Sequence, residues 1–83
     1  MARIVSVRAG HQDVRPHHSD VDCFVQELRG ENGEKLVHIS TFGSAQRQSA
    51  PKSSQSMQFD LAAASALVEQ FVAVFGPDVV RHR

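Results

Sequence analysis

Between residues 21 and 59 apolar and polar side chains alternate, and after residue 60 the alternation gives way to a three- and four-residue spacing. Val21, Cys23 and Val25 share one parity of the stretch Val21 to Arg29, with Phe24 and Leu28 on the other, which is the two-residue period of a strand. That stretch ends in Gly30-Glu31-Asn32-Gly33, where the Asn32-Gly33 pair predicts the positive φ of a tight hairpin turn. Lys35 to Phe42 follows as its partner, with Val37, Ile39 and Thr41 on one face and His38, Ser40 and Phe42 on the other. Gly43 to Ser53 is a polar loop holding Arg47, Pro51 and Lys52, and Ser54 to Phe59 alternates Gln55, Met57 and Phe59 against Ser54, Ser56 and Gln58. Upstream, Ile4, Val5 and Val7 mark a strand over Ala2 to Arg8, ended by Ala9-Gly10 and a long loop with Pro16.

Asp60 stands before an unbroken helical run, Leu61 to Phe75, and can accept the unpaired amides of its first turn. Gly76 and Pro77 mark the stop. Leu61, Ala64, Leu67, Val68, Phe71, Val74 and Phe75 form one wide apolar stripe, expected to be buried, while Ala62, Ala63, Ala64 and Ala66 allow close approach of a neighbour. The expected fold is therefore α+β: a four-stranded antiparallel sheet (β-β-β-β) followed by one C-terminal helix, in two layers. Residues 1–83 form a single domain, with an ordered core over about 2–76 and a tail over 77–83, in which Val79-Val80 adds a short contact and Arg81-His82-Arg83 is mobile. A helix of about 15 residues spans only about 22 Å. It cannot cover four strands, so a second copy is expected to cover the rest, through the helix or an edge strand.

Composition narrows the function classes. At 83 residues, 41% hydrophobic and 22% charged, the chain is one small globular domain, with neither the composition of a disordered chain nor the long apolar run of a membrane span. Nine basic and nine acidic residues sum to a formal charge of +0, so any anion site must be a local patch and not the general basicity of a duplex-coating protein. Cys23 is the one cysteine, which excludes an internal disulfide and fits a reducing compartment. The apolar stretch at the N-terminus is too short for a signal peptide, and a cytoplasmic location is expected.

Three segments carry a resemblance: Lys35-Leu36-Val37-His38-Ile39-Ser40-Thr41-Phe42-Gly43-Ser44, then Arg47, Lys52 and Ser54-Gln55-Ser56-Met57-Gln58-Phe59-Asp60, then the terminal helix. Over roughly residues 21 to 76 this pattern resembles the β-β-β-β-α unit of small single-stranded nucleic-acid binders: the positive-cofactor-four coactivators, the Pur-alpha repeats and the Whirly proteins. The Thr-Phe-Gly-Ser, Arg, Lys, Ser-Gln string is also similar to that of short bacterial proteins of unassigned function. The resemblance implies the fold and a single-strand-binding role. It extends to no catalytic signature. The chain departs from it in lacking Trp and Tyr and in carrying Asp22 and Glu27 on the second strand instead of lysines.

Charge segregation points the same way. Residues 20 to 34 hold five acids (Asp20, Asp22, Glu27, Glu31, Glu34) and one base, Arg29, whereas residues 35 to 59 hold Lys35, Arg47 and Lys52 and no acid. If Val37 and Ile39 face the helix, then His38, Ser40 and Phe42 face outward beside Ser54, Ser56 and Gln58, with Phe24 and Gln26 extending the surface. The nucleic-acid-binding residues expected on this reading are Ser40, Phe42, Ser44, Arg47, Lys52, Ser54 and Gln55: an aromatic for stacking, polar groups for hydrogen bonds and a basic loop for phosphates. The plainer reading makes Phe24 and Phe42 core or interface residues and Arg47 and Lys52 solvating groups, with Ser44 and Ser54 capping turns.

No catalytic residues, no cofactor and no metal are expected. His11, Asp13, His17, His18 and Asp20 are ligand types without a fixed spacing or a following helix to aim them, and read as a polar loop. Cys23, between Val21 and Val25 on one parity, reads as a small buried hydrophobe. Two function classes follow: a non-catalytic homodimeric module for single-stranded DNA or RNA, or a small interaction subunit that docks on a larger partner through its sheet face or edge.

Overall fold

In the computed structural model, residues 1–43 and 53–81 are described. The elements are β1 (Ala2–Ile4), β2 (Asp22–Arg29), β3 (Lys35–Phe42), β4 (Ser53–Phe59), α1 (Leu61–Phe75) and α2 (Asp78–Arg81). The four strands form one sheet in the order β1-β4-β3-β2. The fold is α+β, with a four-stranded sheet followed by helix.

The sheet is mixed, which corrects the expectation of a wholly antiparallel one. β2 with β3 and β3 with β4 are antiparallel, but β1 runs parallel to β4, pairing Ala2 with Met57, Arg3 with Gln58 and Ile4 with Phe59. The cause lies in the connection. Residues 5–21 carry the chain from one edge of the sheet to the other, and β1 and β2 point the same way. A parallel arrangement of that kind needs a long return path, and this loop, exposed throughout except at the half-buried Val7, supplies it. β1 is also shorter than the span Ala2 to Arg8.

The hairpin between β2 and β3 differs in detail from the expected Asn32-Gly33 turn. The Gly33 amide donates to the Gly30 carbonyl at 3.0 Å and the Gly30 amide to the Glu34 carbonyl at 2.8 Å. Only Gly33 has a positive φ, 81°, while Asn32 does not. With negative φ at both central residues, Glu31 and Asn32, the primed turns and type II are excluded; the geometry is that of a type I turn followed by a glycine in the left-handed region. The Asn32 amide reaches Glu34 Oε1 at 3.1 Å, and Arg29 Nη1 donates to the Gly33 carbonyl at 3.3 Å. At the other end of β3 the register shifts: Thr41 pairs with Gln55 but Phe42 pairs with Ser53, leaving Ser54 as an additional residue on β4.

The helix ends follow their sequence signals. Asp60 Oδ1 accepts the Ala63 amide at 2.9 Å as N-cap. Gly76, at φ 84° and ψ 177°, donates its amide to the Val72 carbonyl at 2.7 Å. That conformation belongs to glycine almost alone. Beyond Gly76, where the sequence suggested only a short contact from Val79-Val80, the chain turns once more into α2, which packs on α1 with Val79 half-buried; His82 and Arg83 lie outside the described residues.

The helix does not bury its stripe as its pattern predicts. α1 touches β3 and β4, and its buried or half-buried residues include Ala63, Ala66, Leu67 and Gln70. At 100° per residue these lie on one side of the cylinder, whereas Leu61, Val68, Phe71 and Phe75 lie on the other and are exposed. Ala63, Ala66 and Leu67 face the domain, and Phe71 and Phe75 face out. Among the described residues the buried hydrophobic core is Leu36, Phe59 and Ala63; Cys23, expected to be buried, is exposed on the edge strand β2.

Candidate nucleic-acid interface

Strand register sorts the candidate residues onto faces. Phe24, Gln26 and Leu28 of β2 lie opposite Ser40, His38 and Leu36 of β3, and Ser40 and His38 lie opposite Ser56 and Gln58 of β4. Partners directly across a ladder share a face, so Phe24, Gln26, His38, Ser40, Phe42, Ser56 and Gln58 stand together, as the alternation of the sequence implies. β1 adds Arg3 beside Gln58. One cross-strand row, Arg3, Gln58, His38 and Gln26, therefore crosses all four strands on this face.

The face has an aromatic end and a polar end. At the aromatic end Phe24 and Phe42 meet edge to face, with ring centroids 5.1 Å apart and planes at 81°. Phe24 is 54% exposed and Phe42 is half-buried. At the polar end Gln58 Nε2 lies 3.0 Å from His38 Nδ1. A groove of about 360 Å³ is lined there by Met1, Ala2, Arg3, His38, Ser56 and Gln58. A second groove, lined among others by Arg3, Leu28, Leu36, Glu34 and Gln58, opens next to it. No residue of α1 lines either groove, so the helix does not close this end of the face.

The expected site residues separate under this geometry. Phe42 lies on the face, with Phe24 as its neighbour. Ser40 lies on it too but is only 4% exposed, so a ligand there meets the aromatic pair before it meets Ser40. Gln55 pairs with Thr41 and stands on the opposite face, apart from Phe42. Ser54 falls on β4. Ser44, Arg47 and Lys52 lie outside the described residues.

Arg3 is the contributor that sequence reasoning missed. Its Nη1 is 3.7 Å from Glu34 Oε2 and its Nη2 is 3.9 Å from Asp60 Oδ2. Only the parallel pairing of β1 with β4 brings it here, and no local signal in the sequence announces that pairing. Among the described residues no group of three or more His, Cys, Asp or Glu side chains is placed to hold a metal ion. No helix among them is long and apolar enough to cross a membrane. Together these features define a small mixed α+β domain with a half-aromatic, half-polar sheet face. No family model, curated protein or solved structure matches the chain.

Proposed function

We propose that this protein is a non-catalytic homodimeric module that binds single-stranded DNA or RNA across the Phe24–Phe42 face of its sheet. The observation that supports the binding reading is the juxtaposition, on one face, of an aromatic pair, Phe24 exposed and Phe42 half-buried, with a row of hydrogen-bonding side chains. Every base has a π-face, and stacking on an aromatic is worth about 1–3 kcal/mol per base. Arg47 and Lys52 fall in the sequence between β3 and β4, and bases of this kind are suited to the backbone phosphates.

Surface area supports the reading of a second copy. The chain exposes 7461 Å², against about 4,900 Å² expected from the area scaling for a folded monomer of 9.1 kDa. Part of the excess lies in the connection 5–21 and part on the outer side of α1. There Leu61, Ala64, Val68, Phe71 and Phe75 follow one another at spacings of three, four, three and four, which is the seam of a helix that packs on another helix. No charged residue interrupts that seam, so the occupant it suits is an uncharged helix face like itself. A second α1 meets that requirement.

Fluorescence anisotropy of labelled single-stranded DNA and RNA at low salt tests the reading, and saturable binding is the expected result. Absence of binding overturns it and leaves the docking alternative, for which β2 is the place to look: it is an edge strand of the sheet, and Leu28 is its one residue that is not exposed.

A further inference from the structure

The polar groove at the β1 end of the face differs in chemistry from the aromatic end. With the Gln58 amide donating to His38 Nδ1 at 3.0 Å, the neutral imidazole carries its proton on Nε2. The ring Nε2–H, the second N–H of the Gln58 amide and the carbonyl acceptor Gln58 Oε1 then stand on neighbouring side chains of the same row, with the Ser56 hydroxyl lining the same groove. An adjacent donor and acceptor is what the Watson–Crick edge of an unpaired base presents in complement.

Arg3, which lines this groove, already stands between two carboxylates, Glu34 at 3.7 Å and Asp60 at 3.9 Å, so its guanidinium offers a phosphate less than a free arginine does, whereas the hydrogen-bonding pair of His38 and Gln58 suits a neutral heterocycle. Resting on the single-strand reading above, we infer that the Arg3–Gln58–His38 row is a base-reading subsite: it takes the edge of one nucleobase while neighbouring bases stack on Phe24 and Phe42, and it confers base preference on a contact that stacking alone leaves unselective.

Two experiments on the full chain decide it. In the first, NMR signals of the His38 ring and the Gln58 side-chain amide are followed during titration with nucleoside 5′-monophosphates and, separately, with ribose 5-phosphate, which has the sugar and phosphate but no base. The nucleotides are expected to move both signals and ribose 5-phosphate to leave them in place; equal shifts from both make the groove an anion site and overturn the inference. In the second, homopolymeric single strands of A, C and T are compared with wild type and Gln58→Met, which keeps side-chain length but not the amide. Wild type is expected to prefer one homopolymer by about tenfold, and Gln58→Met to flatten that preference while still binding. Strands bound alike by wild type, or a preference unchanged in a folded Gln58→Met, overturn the subsite and leave the single-strand reading intact. If no strand binds at all, that reading fails first. If Gln58→Met does not fold, the NMR comparison stands as the deciding arm.

Discussion

Phe24 and Phe42 touch edge to face at 5.1 Å although neither is the other's register partner: Phe24 lies opposite Ser40, and Phe42 opposite Asp22. The contact is diagonal. It spans the two-residue step between successive rows of the face, which aromatic rings are long enough to bridge. An exposed pair of this kind stabilises the fold only modestly, by about 0.5–1.5 kcal/mol beyond its burial. Phe24→Ala is therefore expected to lower stability by about 1 kcal/mol but to weaken single-strand binding by about 1–3 kcal/mol. Urea denaturation and anisotropy on the same variant separate the two effects.

The cap of α1 makes a second prediction. Asp60 serves the Ala63 amide at 2.9 Å and also lies 3.9 Å from Arg3. Asp60→Ala is expected to destabilise the protein by about 1 kcal/mol, nearly all of it from the lost cap, because the ion pair is long and half-exposed. Arg3→Ala measured in parallel checks the division and should cost less than the Asp60 variant.

Gly76 supplies a third. At φ 84° and ψ 177° it occupies backbone space that a β-carbon disfavours, although nothing lies within 4 Å of the position such an atom would take. Any loss on Gly76→Ala is thus a backbone effect and not a clash. About 1–3 kcal/mol is expected from chemical denaturation at fixed protein concentration.

The outer side of α1 supplies a fourth. Phe75 is 70% exposed, and Phe71, 46% exposed, stands on the seam between Val68 and Phe75. Phe71→Glu puts a charge into the proposed helix–helix contact. It is expected to weaken the dimer by on the order of 3 kcal/mol, about a hundredfold in Kd. Light scattering at tens of micromolar should show twice the chain mass for wild type and the chain mass for the variant. A wild type that stays monomeric contradicts the dimer.

Local periodicity carried most of the fold. The strand over Lys35–Phe42 and the helix over Leu61–Phe75 have the bounds that alternation and capping indicate, since each side chain's neighbours in sequence decide its face. What local pattern does not encode is pairing. β1 is three residues long and meets β4 more than fifty residues later in the sequence, so neither its direction nor the arrival of Arg3 beside Gln58 could be read from the alternation of either strand. Gln55 stands apart from Phe42 by alternation alone, on the parity of Met57 and Phe59, so that separation was legible; the shift at Thr41–Phe42, which brings Ser53 opposite Phe42, was not, because it is a property of the ladder and not of either strand alone. The stripe on α1 was legible as apolar. That Ala63, Ala66 and Leu67 face the domain while Phe71 and Phe75 face out was not, because a pattern of residues on a helix does not say which side meets which neighbour.

The most direct test of the central claim is a salt series of single-strand binding by anisotropy, on wild type, Arg47→Ala, Lys52→Ala and Phe42→Ala. Binding through phosphates and stacked bases predicts that log K falls linearly with log salt, with a slope of about −0.7 per phosphate neutralised. Arg47→Ala and Lys52→Ala should each remove about one such contact. Phe42→Ala should lower affinity by about 1–3 kcal/mol and leave the slope unchanged, because stacking releases no counterions. No binding by wild type at low salt, or an affinity indifferent to salt and to all three substitutions, contradicts the account.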